Sequence, residues 1–257
     1  MRINTNVGAL NSTKNAFVNT MATESSMRKL SSGLRISRAA DDAAGLSIAN
    51  KLRAQSRSLT VAAANAEQGG AMLQIAEGSA STIQRILERQ KELIVQRDSI
   101  GNNSSVSGTL SAEINTLTTE VDRIITSTNF QGSSVFANLS FQVSDGLAGG
   151  TVSVNASLTS GTVSMSGTSL ISNVDDALTA INSVLANIGA GQNRLDYTVQ
   201  NLKSAVVNVK AAESTIRDVD MAEEMANYTK NNILTQAAQA MLSQANQSSQ
   251  SVLSLLR

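Results

Sequence analysis

Apolar residues recur along most of the chain with alternating spacings of four and three positions. This period places one narrow apolar stripe on a helix, which is typical of coiled coils and helical bundles. Five runs carry it, at residues 3–24, 48–94, 110–124, 174–216 and 234–255. The pattern therefore predicts five helices, of which the second and fourth are long.

The segments between these runs predict how the helices connect. Residues 30–45 contain Gly33 and Gly45, interrupt the period and are interpreted as a connector. The stretch GNNSSVSG at 101–108 predicts a loop that ends the second helix. The third run then returns beside the second as a helical hairpin. The glycines at 189–191 leave the phase of the fourth run intact, so one uninterrupted helix is predicted there.

Residues 131–172 follow a different pattern, in which short apolar and polar alternations lie among Gly and Ser. Phe141 with Val143, Val152 with Val154, and Val163 with Met165 predict short hairpin strands. The strands are too few and too short for an independent β domain. The predicted fold class is mainly α, a long antiparallel helical bundle or coiled coil with a small β-hairpin patch.

The first and last runs have no partner in the middle of the chain, so the simplest pairing is with each other. Two thin helices bury little surface, while ordering the backbone costs roughly 1–2 kcal/mol per residue. We therefore expect both to be disordered in the free chain and to order when neighbouring copies cover their remaining faces. The predicted assembly seam comprises Ile3, Val7, Leu10, Phe17, Met21, Leu234, Met241, Val252, Leu255 and Leu256.

The amino-acid composition excludes most of the common catalytic mechanisms. The chain has no His and no Cys, which excludes ordinary nucleophilic triads and thiolate metal sites. The Asp41-Asp42 pair has no third metal ligand nearby, so we interpret it as a solvated or ion-paired part of a loop. The sequence GAGQNR at 189–194 follows no strand, so it reads as helix and not as a nucleotide-binding loop. We expect no enzymatic activity, no cofactor and no metal.

Charge adds an open question about the two ends. The net charge is zero, so no global field attracts nucleic acid or a membrane. Residues 1–40 are nevertheless basic, and Asp218, Asp220, Glu223 and Glu224 lie close together near the other end. These are either solvated faces or complementary charges between the terminal segments, within or between subunits. The chain also shows no apolar Sec signal core and no membrane-spanning run.

Long blocks of the sequence resemble bacterial flagellin. They are INTNVGALNSTKN and LSSGLRISRAADDAAGLSIANKLRAQ near the start, NFQGSSVF at 129–136, GAGQNRL, and the stretch from IRDVDMAEEMANYTKN to the final SVLSLLR. The resemblance implies a D0-like terminal domain at 1–43 and 217–257, and a D1-like bundle at 44–216. It also implies a short β-rich segment at about 131–172 and no outer D2 or D3 domains.

The resemblance further implies a function and partners. The chain would be the structural subunit of the flagellar filament, located outside the cell and exported by the flagellar type III apparatus. Its partners would be copies of itself, an export chaperone, and the cap and hook-junction proteins. A hook-filament junction protein with the same helical ends is the alternative, and long self-assembled filaments would discriminate the two.

A receptor is the last implied partner. LERQKELIVQ at 87–96 resembles the flagellin stretch that Toll-like receptor 5 binds, with Glu113 at the place of an acidic contact on the third helix. The matching residues are Leu87, Arg89, Glu92, Leu93, Gln96 and Glu113. Lys91 stands where the family has Arg, which removes a bidentate donor and predicts weaker recognition.

Overall fold

The computed structural model describes residues 6–99, 104–144, 150–159, 163 and 171–255, and of residues 249–255 it describes the backbone alone. Five long helices occupy most of this part of the chain. They are α1 (Val7–Ser32), α2 (Ala43–Ser99), α3 (Ser104–Ser127), α4 (Ile171–Arg217) and α5 (Met221–Leu255). The prediction of a mainly helical fold with five helices is confirmed.

Local sequence signals set several helix ends. The side chain of Asn6 accepts a hydrogen bond from the backbone N–H of Ala9 and caps the start of α1. Gly33 ends α1 in the left-handed conformation, with φ of 69°. The connector is shorter than predicted, because α2 already begins at Ala43. The predicted loop at 101–108 is wrong for residues 104–108, which form the first turn of α3.

Four short strands form two antiparallel pairs. β1 (Asn129–Phe130) pairs with β2 (Ser133–Ser134), and β3 (Asn138–Gln142) pairs with β4 (Thr151–Asn155). Phe141 faces Val152, and Leu139 faces Val154, so the first two predicted alternations meet in one hairpin. The strand predicted for the third alternation is wrong at Val163, which is buried and helical, and Met165 lies outside the described residues.

The outer edge of β4 is covered by side chains of α4. Arg194 donates to the carbonyl oxygen of Ser153 at 3.3 Å, and Asn187 donates from Nδ2 to the carbonyl oxygen of Asn155 at 3.2 Å. These carbonyls would otherwise be free to pair with another strand. The hairpin is thus tied to α4 through its backbone.

The chain divides into two compact units. One contains Met1–Ala54 and Val209–Arg257, and the other contains Gln55–Asn208. In the second unit α2 and α4 run antiparallel, as shown by ion pairs from Lys91 to Asp175 at 2.6 Å and from Lys203 to Glu67 at 2.8 Å. Buried apolar side chains recur along all three of its helices, among them Leu73, Ile83, Leu87, Ile94, Ile114, Val121, Ile181, Ile188 and Leu195.

Two glycines let the β3–β4 hairpin approach the helices of this unit. A β-carbon at Gly69 would lie 2.9 Å from the ring of Phe141, and one at Gly191 would lie 2.5 Å from Val154. Both distances are too short for a real contact. The hairpin therefore rests on glycine in both α2 and α4, and α4 still passes through the 189–191 glycines without a break, as predicted.

Candidate assembly surface on the terminal helices

The contact between α1 and α5 is made mainly by small and polar residues, with Tyr228 and Leu242 as the larger exceptions. In α1 the less exposed positions recur every three or four residues, at Ala9, Ser12, Ala16, Asn19, Thr23 and Ser26. The matching positions in α5 are Glu224, Tyr228, Asn231, Thr235, Ala238, Leu242 and Ala245. We call these two series the inner face. Small side chains let two helices approach closely, but they bury little apolar area.

Polar contacts fix the antiparallel register of this helix pair. At one end Asn6 donates from Nδ2 to the carbonyl oxygen of Ala245 at 3.0 Å. Near the other, Lys29 Nζ lies 3.7 Å from Glu224 Oε2, and Glu224 is buried. The chain beyond α1 continues the pairing, because the N–H of Arg35 donates to the carbonyl oxygen of Arg217 at 2.7 Å. Lys29 and Glu224 thus show complementary charge between the terminal segments, within one subunit.

Most large apolar side chains of these helices are exposed, and eight of them form a stripe offset from the inner face. They are Val7, Leu10, Phe17, Val18 and Met21 in α1, and Ile233, Leu234 and Met241 in α5. We call this set the outer face. Phe17 is 65% exposed and Met241 is 60% exposed, whereas Ala238 on the inner face is 8% exposed. Exposed large apolar residues grouped in this way typically mark an interaction surface.

Most residues of the predicted seam belong to the outer face. Val7, Leu10, Phe17, Met21, Leu234 and Met241 are all exposed. Val252 and Leu255 lie in α5, but their side chains are not described, and Ile3 and Leu256 lie outside the described residues.

The inner face was missed in the sequence because its period is carried by Ala, Ser, Asn and Thr. These residues do not register as apolar in a pattern built on Leu, Ile and Val. A second three-four series of small residues, offset from the large ones, is the signal that would have revealed it. In α5 the predicted run also mixed the two faces, since it included Ala238 and Ala245 with Leu234 and Met241.

The candidate receptor residues divide into two groups. Leu87 and Leu93 are fully buried in the bundle. Arg89, Glu92, Gln96 and Glu113 are exposed. Arg89 Nη1 lies 3.0 Å from Glu92 Oε2, and its Nη2 lies 3.3 Å from Glu113 Oε1. These hydrogen bonds, first to Glu92 and then to Glu113, raise the pKa of Arg89. The guanidinium of Arg89 therefore connects the candidate receptor residue Glu92 on α2 with Glu113 on α3.

The carboxylates of Asp41 and Asp42 accept hydrogen bonds from nearby backbone N–H groups and are not paired with each other for acid–base chemistry. Asp41 Oδ2 accepts from the N–H groups of Arg38 at 2.9 Å and Ser37 at 3.1 Å, which lowers the pKa of its carboxyl group. Asp42 Oδ1 accepts from the N–H of Gly45 at 2.9 Å and caps α2. Across the described parts of the chain, no cluster of three acidic, His or Cys side chains could hold a metal ion. Nor is any helix there both long and apolar enough to cross a bilayer.

The terminal helices pair with each other and leave a group of large apolar side chains exposed, which is typical of a structural protein that assembles with other chains. Comparison with known proteins agrees. Residues 3–140 match the family described as "Bacterial flagellin N-terminal helical region", and residues 171–256 match "Bacterial flagellin C-terminal helical region". The chain belongs to the bacterial flagellin family.

Two relatives are matched over their whole length and over all of this chain. One is the flagellin of Bacillus subtilis, at 39% identity. The other is the "Flagellar filament 33 kDa core protein" of Treponema phagedenis, at 37% identity. The crystal structure of Bacillus cereus flagellin is also similar, with 28% identity and a TM-score of 0.47, covering 58% of this chain and 94% of that one. The chain is a structural subunit of the flagellar filament, and the hook-filament junction alternative is not favoured.

Proposed function

We propose that this flagellin polymerises by burying the outer face of α1 and α5 between neighbouring subunits of the filament. The observation that carries the proposal is the contrast between the two faces. Within the subunit, α1 and α5 meet mainly through small and polar residues, while Leu10, Phe17 and Met241 remain exposed. Identical subunits supply matching apolar surface for them.

Energetics favour ordering of these helices on assembly. Ordering the backbone costs roughly 1–2 kcal/mol per residue. The inner face returns little of this, because Ala, Ser and Asn bury little apolar area. Full burial of a large apolar side chain contributes about 1.5–3 kcal/mol. Burial of several outer-face residues in the filament would therefore add apolar burial that the free subunit lacks, and we expect the terminal helices to be disordered in the free subunit.

The proposed domain organisation follows the family. A D0-like terminal domain comprises residues 1–43 and 217–257, and a D1-like bundle comprises 44–216. The two compact units support a division of this kind, although their boundaries lie inside α2 and α4, at 54/55 and 208/209. The D1-like bundle would carry bending and torsion while the filament rotates and propels the cell, and small sliding of packed helices would change its supercoil.

The proposed route outward is the flagellar type III apparatus. An exposed outer face invites premature polymerisation inside the cell. A cytoplasmic export chaperone that masks α5 would prevent this. The hook-junction proteins would offer the first matching surface, and the cap would direct addition of each subunit at the distal tip.

A further proposed partner is Toll-like receptor 5. The surface consists of Arg89, Glu92, Gln96 and Glu113, and the buried Leu87 and Leu93 would position it. We expect Arg89→Ala to reduce receptor signalling several-fold without changing the folding of the bundle. Arg123→Ala, which removes an exposed ion pair with Glu120 on α3, is the matched control. Unchanged signalling by Arg89→Ala would contradict this part of the proposal.

Seeded assembly tests the main proposal. Heat-dissociated and cooled subunits would be added to short filament seeds and imaged by negative-stain electron microscopy. We expect long filaments from the full chain and from Asn15→Asp, which adds charge at an exposed polar position of α1. Phe17→Asp and a copy truncated after Val219 should add nothing to the seeds. Growth by Phe17→Asp at the rate of Asn15→Asp would refute the assigned seam.

A further inference from the structure

The methionines of this chain are distributed unevenly between its two units. Five of those in the described residues lie in α1 and α5 and are exposed, at 48% to 60%: Met21, Met27, Met221, Met225 and Met241. The remaining described methionine, Met72, lies in the bundle and is 7% exposed. Met1 and Met165 lie outside the described residues.

Exposure decides how readily a thioether is oxidised. The sulfur loses two electrons to a peroxide or hypohalous acid and takes up one oxygen atom, and the peroxide leaves as water or the hypohalous acid as halide and a proton. The product is a sulfoxide, which is polar where the thioether was apolar. The five exposed sulfurs are open to such oxidants, while the packing around Met72 excludes them.

Two of these methionines belong to the outer face. Met21 lies one helical turn beyond Phe17 and Val18 in α1, and Met241 lies two turns beyond Leu234 in α5. A sulfoxide there would have to lose its hydration when the face is covered, without an assured hydrogen-bond partner, and an unpaired buried polar group is costly. Met27, Met221 and Met225 lie on the same helix pair.

We propose that the exposed methionines of α1 and α5 form a modification site, and that oxidation of Met21 and Met241 by two-electron oxidants converts the unassembled subunit into a form that cannot join the filament. The inference rests on the proposed seam. The vulnerable period ends with incorporation, because polymerisation covers the thioethers of the seam. The filament therefore protects the residues that its free subunit leaves open.

The test combines peptide mass spectrometry with seeded growth. Free subunits are treated briefly with hydrogen peroxide, and sulfoxide is measured at each methionine. We expect the five terminal methionines to oxidise before Met72. We also expect the critical concentration for growth to rise at least about tenfold, a change that corresponds to about 1.4 kcal/mol. Methionine sulfoxide reductases of both stereospecificities should restore growth.

A variant with all five residues changed to Leu is the matched protein, with Met1, Met72 and Met165 retained. It should grow equally well before and after peroxide. Equal growth of oxidised and untreated wild-type subunits would overturn the inference, and so would loss of growth in the oxidised Leu variant. Failure of the reductases to restore wild-type growth would also overturn it. If untreated wild-type subunits did not extend seeds at all, the proposed function would fail first and this inference with it.

Discussion

Lys29 and Glu224 meet across the α1–α5 pair, with Nζ and Oε2 3.7 Å apart and the glutamate side chain only 11% exposed. A charge buried to this degree needs its partner, because removing one member leaves the other unpaired. The ion pair lies among small residues that would tolerate several alignments of the two helices. It therefore selects one register for a helix pair whose apolar contacts are weak.

Charge reversal tests this role. Lys29→Glu places two carboxylates together and should lower the dissociation temperature of the filament by several degrees. The double variant Lys29→Glu with Glu224→Lys restores opposite charges and should recover most of the loss. The measurement is loss of turbidity or of helical circular dichroism on heating polymerised protein. Equal dissociation temperatures for the single and double variants would show that the ion pair does not set the register.

The inner face predicts a contrast between adjacent alanines of α5. Ala238→Leu adds bulk where α1 packs closely, and overpacking of this kind costs about 1–3 kcal/mol. Ala237→Leu adds the same atoms at an exposed position. We expect weaker assembly from Ala238→Leu, measured as a higher critical concentration, and little change from Ala237→Leu. The reverse order would mean that the inner and outer faces have been exchanged.

The close packing of the β3–β4 hairpin against Gly191 predicts a second contrast between two substitutions. Gly191→Ala forces a methyl group against Val154 and should destabilise the bundle by about 1–3 kcal/mol. At Gly189 no atom lies within 4 Å of the added β-carbon. Gly189→Ala should therefore stabilise by up to about 1 kcal/mol through helix propensity. Urea unfolding followed by circular dichroism measures both, and effects of the same sign would contradict the close approach of the hairpin to α4.

Gln90 is a fully buried polar residue of the helical bundle. Its Nε2 donates to the carbonyl oxygen of Ile114 at 3.3 Å and to Thr118 Oγ1 at 3.1 Å, while its Oε1 has no partner. Gln90→Leu removes the unpaired oxygen and should stabilise the bundle by about 1 kcal/mol. Thr118→Val removes one acceptor and should destabilise it by a similar amount. Urea midpoints that move in the same direction would show that this hydrogen-bond network has another role.

Acid should loosen the turn before α2. The folded pKa of Asp41 is lowered by hydrogen bonds from the backbone of Arg38 and Ser37, so its stabilising contribution is present above the unfolded pKa. That contribution is lost as pH falls through the folded pKa, below about 4. In polymerised protein, amide exchange at residues 37–41 should increase over that range. Asp41→Asn should show faster exchange already at neutral pH and little further change on acidification.

The sequence predicted the helices well because their period is carried by large apolar residues over many turns. It also predicted strands at Phe141 and at Val152 with Val154, and Phe141 pairs with Val152 in the hairpin. Val154 pairs with Leu139, which the alternation did not include, and Val143 lies just beyond β3. It did not reveal that α1 and α5 meet through Ala and Ser, since small residues carry almost no apolar signal. The burial of Leu87 and Leu93 could not be separated from receptor contact either, because the same leucines fit a bundle core and a binding motif.

The covered edge of β4 has a consequence for a protein that exists at very high local concentration. Stacked identical chains with a free strand edge are prone to add strands to one another and convert to cross-β fibres. Here Arg194 and Asn187 bind the carbonyl oxygens that such growth would use. These two side chains therefore oppose the addition of a further strand at the β4 edge of the hairpin.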